Sequence, residues 1–94
     1  MPIKKTLKIG IVAGEHSGDS LGAGIIQALK SQNDIELFGV GGPKLAAQGL
    51  ISEFDFNKLN VMGIIEPLLN FRELNNLRKK LIKLFKEKEV DYFI

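Results

Sequence analysis

Apolar positions near the start of the chain follow two different rhythms. Leu7 to Ala13 is a short apolar run carrying the β-branched Ile9, Ile11 and Val12, which predicts a buried strand. Gly14-Glu15-His16-Ser17-Gly18-Asp19 is a turn cluster. From about Asp19 to Ser31 the rhythm becomes helical. Leu21, Ile25, Ala28 and Leu29 fall on one face, which predicts the buried stripe, and Ser17 is the candidate N-cap. Ile35 to Val40 predicts a second strand. Pro43 to about Gln48 predicts a short helix, with proline at its start and Gly49 as its stop signal. Leu50 to Phe54 fits a short third strand, and Asp55 to Gly63 reads as loop. Ile64 to Lys88 is helical with a break near Pro67, and Val90 to Ile94 is again a strand.

Strands alternating with helices imply parallel pairing and an α/β layered domain. Parallel strands of this kind are buried on both faces and need further elements to cover them. The expectation is therefore a Rossmann-like parallel sheet with flanking helices, residues 1–94 forming an incomplete N-terminal half of a larger domain.

Composition narrows the chemistry. The 94 residues are 45% hydrophobic and 26% charged, a balance that suits a globular fold and not a disordered one. With no cysteine, disulfides, thiolate metal sites and a cysteine nucleophile are excluded. No apolar run approaches the roughly 20 residues of a membrane span. The opening run is too short and interrupted for a secretory signal, so a cytoplasmic location is the default expectation. The net charge of +2 is unevenly spread: the segment from Arg72 to Lys88 carries +5, and the rest of the chain −3.

The first strand–loop–helix junction is where open α/β sheets place ligands. Its Gly14-x3-Gly18-x3-Gly22 spacing is neither the dinucleotide fingerprint nor a Walker A loop, since no lysine follows Gly18. Glu15 and Asp19 would repel a phosphate, so the loop suits a hydroxyl-rich ligand such as a sugar. The plainer alternative is that Ser17 or Asp19 caps the helix and the glycines serve the turn. His16, the single histidine, has no partner in view and is assigned no role.

Two later segments stand out. Asn60 to Phe71 is unusually apolar for a connection, with Glu66 alone among apolar neighbours. It reads either as core or as an apolar flap beside a lipid or acceptor site. On the following helix Leu74, Leu77, Leu81, Leu84 and Phe85 form an apolar arc, and Arg78 falls inside it. Arg72, Lys79, Lys83 and Lys86 form a stripe on the other side. That stripe is either a solvated face or a match for an anionic bilayer surface. Phe71 and Phe85 are spaced for packing, not as a base-stacking platform, so nucleic acid is not expected as a partner.

Three segments, in order, resemble one family. Ile11 to Ala23 (IVAGEHSGDSLGA), Phe38 to Leu45 (FGVGGPKL) and Val61 to Glu66 (VMGIIE) are similar to the N-terminal signatures of lipid-A-disaccharide synthase. The resemblance implies a GT-B glycosyltransferase of two Rossmann-like domains. Such an enzyme transfers diacylglucosamine from its UDP-sugar to diacylglucosamine 1-phosphate with inversion, releasing UDP, at the inner face of the inner membrane. It implies no cofactor and no metal. Ser17, Gly18 and Asp19 would then line the substrate cleft, and Met62, Gly63 and Glu66 would lie near the acceptor. Ile64, Ile65, Leu68, Leu69, Phe71, Arg72, Lys79, Lys83 and Lys86 would face the membrane. An aspartate motif expected to matter in catalysis would begin just after Ile94, and the donor-binding domain would lie further on. On that reading the 94-residue chain alone is inactive. The alternatives are a stand-alone membrane- or partner-binding α/β module, and another nucleotide-sugar enzyme.

Overall fold

A computed structural model describes residues 6–64 and 70–94, with the side chains of residues 62–64 outside the description. The elements are β1 (Thr6–Val12), α1 (His16–Leu29), β2 (Asp34–Val40), α2 (Pro43–Ala47), α3 (Phe56–Ile64), α4 (Phe71–Glu87) and β3 (Tyr92–Phe93). The three strands make one parallel sheet in the order β2-β1-β3. Thr6 pairs with Asp34 and Val12 with Val40 along β1 and β2, while Ile9 and Gly10 pair with Tyr92 and Phe93. The α/β class and the parallel, Rossmann-like pattern of flanking helices agree with the sequence.

The alternation along β1 divides the core. Leu7, Ile9 and Ile11 point to one face, where Ala23, Ile26, Leu45 and Leu50 cover them. On the other face Val40 packs with Leu77 and Leu81, and with the partly buried Phe54, Leu59 and Phe85. Gly10 belongs to this second face because a Cβ there would lie 3.1 Å from the Phe85 ring. Helices thus cover both faces of the sheet, as parallel strands require. Gly39 holds φ at +137°, and a Cβ there would run into the Ile11 carbonyl of the neighbouring strand.

Several local expectations are corrected. α1 starts at His16, three residues before the sequence signal, and Glu15 occupies its N-cap position in extended conformation. Ser17 is therefore inside the first turn and is not the cap. The buried face of α1 is Asp19, Gly22, Ala23 and Ile26, while Leu21 is 68% exposed and Ile25 38% exposed. The reason is closeness: a Cβ at Gly22 would lie 2.9 Å from Ile11 Cδ1, so only small side chains fit between helix and sheet. The segment after Asp55 is helical, not loop. The Asp55 side chain accepts the Asn57 and Lys58 N–H groups at 2.9 and 3.3 Å and caps α3. The expected strand at Leu50–Phe54 is reduced to one parallel bridge between Ser52 and Gly39. The arc on α4 is as read, with Leu77 and Leu81 buried and Leu74, Leu84 and Phe85 half-buried.

Candidate functional site

The carboxyl ends of β1 and β2 deliver two loops to one end of the sheet. Ala13 N–H donates to the Val40 carbonyl at 2.9 Å, which carries the pairing one step past the strands. Glu15, His16 and Ser17 follow, all exposed on the first turn of α1. Across from them Gly41 and Gly42 turn the chain into α2. The Ser52 hydroxyl accepts the Gly41 N–H at 3.2 Å and donates to the Phe54 carbonyl at 2.7 Å.

Asp19 joins the two loops. It is 1% exposed, and its carboxylate is the acceptor for the start of α2. Oδ1 accepts the Gly42 N–H at 2.8 Å and the Leu45 N–H at 3.0 Å, and Oδ2 accepts the Lys44 N–H at 3.0 Å. Pro43 has no N–H, and the Ala46 N–H already bonds to the Gly42 carbonyl. One side chain thus satisfies every amide that the first turn of α2 leaves open. The negative charge also sits at the positive end of that helix. At the other end Lys30 Nζ donates to the Gln48 carbonyl at 2.6 Å, so α1 and the residue that caps its end place an anion at the start of α2 and a cation at its finish.

This placement revises the expected role of Asp19. Both of its oxygens are occupied by backbone amides below the surface, so it does not line an open cleft, and its charge is not displayed to a ligand. It does cap a helix, but a helix 23 residues further along the chain than itself. Glu15 is the carboxylate of this loop that faces solvent.

The other sequence candidates divide sharply. Ser17 is exposed on the rim, and Gly18 lies half-buried with Ala13 Cβ 3.7 Å from where its Cβ would be. Met62 and Gly63 fall in the last turn of α3, and Ile64 ends it. Glu66, Ile65, Leu68 and Leu69 lie outside the described residues. Phe71, Arg72, Lys79, Lys83 and Lys86 are all exposed on α4. Lys83 approaches Glu87 at 4.0 Å, whereas Arg72, Lys79 and Lys86 form no ion pair among the described residues. Lys80 and Lys88, outside the stripe, are used within the fold: Lys80 meets Glu53 at 3.7 Å, and Lys88 sits 5.6 Å from the Phe38 ring centroid. His16 stands edge-on to Phe56, with centroids 5.0 Å apart. Among the described residues no cluster of three His, Asp or Glu side chains is arranged to hold a metal. No described helix is long and apolar enough to cross a membrane.

A family model described as lipid-A-disaccharide synthetase matches residues 9–94. The chain belongs to this family. It is 51% identical over 90 residues to a lipid-A-disaccharide synthase of Pseudomonas fluorescens, which covers 95% of this chain and 24% of the relative. A Vibrio campbellii lipid-A-disaccharide synthase is 47% identical over 93 residues, covering 98% of this chain and 24% of its own length. One from Aliivibrio fischeri is 47% identical over 91 residues, with 96% and 24% covered. The chain thus spans about a quarter of the length of the curated relatives it matches. In those relatives the matching segment is therefore a small part of a much longer protein.

Proposed function

We propose that this chain forms the acceptor-side part of the N-terminal domain of a lipid-A-disaccharide synthase. The whole enzyme would transfer a 2,3-diacylglucosamine unit from its UDP-sugar to 2,3-diacylglucosamine 1-phosphate. An acceptor hydroxyl attacks the anomeric carbon, the bond to UDP breaks, the hydroxyl proton passes to a base and configuration inverts. The observation that carries this reading is the family match across residues 9–94, which includes both strand-end loops. Ser17 and Gly18 would contribute to the wall of the substrate cleft. Met62, Gly63 and Glu66 would lie near the acceptor. Asp19 would act indirectly, as a positioning residue that fixes one loop to the other. The donor-binding domain and the aspartate motif would come from the remaining length of the family's chain.

The same proposal places the enzyme at the inner face of the inner membrane, peripherally bound. The exposed Phe71 and the stripe of Arg72, Lys79, Lys83 and Lys86 support that placement, because cations beside apolar side chains favour anionic lipid.

The test is a chimera in which this chain replaces the matching segment of the Pseudomonas fluorescens relative. UDP release and disaccharide formation from the two lipid substrates are measured. Turnover within about tenfold of the parent is expected. A folded chimera that binds both substrates yet forms no disaccharide would overturn the reading. The isolated 94-residue chain should show no turnover.

A further inference from the structure

Arg78 breaks the apolar arc of α4, and nothing so far explains it. Its Nη2 donates to Asn75 Oδ1 at 3.1 Å, and it forms no ion pair among the described residues. Val12, Leu59, Leu74, Leu77 and Phe85 line a cleft beside it, of about 360 Å³, between the end of β1 and helices α3 and α4. That volume lies within the range of small-ligand sites. Leu59 also touches the strand-end loop: a Cβ at Gly14 would lie 3.4 Å from Leu59 Cδ2. The cleft therefore shares a wall with the loop that follows β1.

A carbon-lined cleft with a single guanidinium complements an amphiphile that has one alkyl chain and an anionic head. The guanidinium offers a planar fork of donors, few of them used here, which fits the oxygens of a phosphate. We propose that this cleft receives one acyl chain of the phosphorylated lipid acceptor, with Arg78 pairing to its phosphate. The inference rests on the transferase reading, which supplies a lipid bearing both groups. In that lipid the 2-linked chain and the 1-phosphate sit on neighbouring carbons, so one cleft with one cation reaches both.

The chimera described above provides the test, with monomeric dodecyl phosphate, hexyl phosphate and the neutral dodecyl maltoside as probes. Dodecyl phosphate is expected to bind, with affinity falling about fourfold for each methylene removed. Arg78→Gln should weaken dodecyl phosphate about tenfold and leave dodecyl maltoside unchanged. Leu74→Trp, which fills the cleft, should remove both. Where that variant does not fold, Ile82→Glu at the exposed rim gives the same readout. Equal affinity for hexyl and dodecyl phosphate would overturn the proposal. So would equal losses of the charged and neutral probes in Arg78→Gln. Binding to phosphatidylglycerol vesicles with no binding of the monomer would assign this face to a bilayer instead. Sugar transfer is read separately. Transfer without chain-length-dependent binding overturns the cleft alone, and such binding without transfer supports the cleft while overturning the transferase reading.

Discussion

Replacing Asp19 with alanine removes the carboxylate that accepts the open amides of α2. The Gly42 and Leu45 N–H groups are buried and lose their partner, while the Lys44 N–H lies nearer the surface and regains water. Each buried amide left unpaired costs about 1–3 kcal/mol. Loss of a helix cap costs about 1 kcal/mol. The cap consists of these same bonds, so the two buried amides set the loss at about 2–6 kcal/mol, a large part of the roughly 5–14 kcal/mol that typical stability per residue allows a chain of this length. Asp19→Asn should be milder. Its one carbonyl oxygen can take over the two bonds now made by Oδ1, and its amide nitrogen then faces the Lys44 N–H donor. Urea unfolding followed by circular dichroism should rank native above Asp19→Asn above Asp19→Ala. At an m value of about 2 kcal/mol per molar, the alanine variant should unfold roughly 2 M earlier. Hydrogen exchange gives a local reading, since the Gly42 and Leu45 amides should lose protection first. Gly42→Ala probes the same contact from the other side. Its Cβ would lie 2.8 Å from Asp19 Oδ2, so it should cost less in the Asp19→Ala background than alone. An Asp19→Ala variant within 0.5 kcal/mol of native, on the order of an ordinary surface change, would refute the argument.

Two glycines on α1 should respond in opposite directions. Gly24→Ala meets nothing within 4 Å and should raise the stability by about 0.5–1 kcal/mol in the same urea assay. Gly22→Ala presses its Cβ to 2.9 Å from Ile11 Cδ1 and should lower it by about 1–3 kcal/mol. On α4, Lys79→Gln, Lys83→Gln and Lys86→Gln together should weaken sedimentation with phosphatidylglycerol vesicles by about a hundredfold, at roughly 1 kcal/mol per cation, and less as salt is raised. The same triple change should leave the unfolding midpoint almost unmoved, because among the described residues these side chains make one weak surface pair.

The elements that announced themselves were those whose signal is local. β1 and β2 carry dense runs of β-branched and apolar residues, and α4 keeps a clean apolar arc over 17 residues. α1 was visible as a helix but turned the wrong way. Leu21 and Ile25 repeat with the same period as Gly22 and Ile26, and side-chain size favours the former. The sheet chose the smaller pair because the approach is too close for anything larger. α3 was hidden by Asn57, Asn60 and Gly63, poor helix formers, although Asp55 ahead of Phe56 and Leu59 was a legible cap. The Asp19–α2 contact had no signal of its own. A carboxylate in a glycine-rich turn reads as a local cap or a ligand contact. That it serves amides 23 to 26 residues away follows only from the chain's path.

That long-range contact bears on how the proposed site would work. A cleft built from strand-end loops is only as well defined as the loops' positions relative to one another. Here Asp19 locks α2 to α1, Ser52 ties Gly41 to the segment after α2, and Leu59 of α3 seats against Gly14. Each link crosses between elements that meet at the carboxyl end of the sheet. The exposed Glu15, His16 and Ser17 therefore stand on a base fixed by the fold itself. If the transferase reading holds, a substrate would meet this rim already positioned. Asp19→Asn in the full-length chimera should then lower kcat more than it changes the KM for the lipid acceptor, since it loosens the base without touching the ligand. A variant with unchanged kcat at a temperature where it remains folded would show that the two loops need no such coupling.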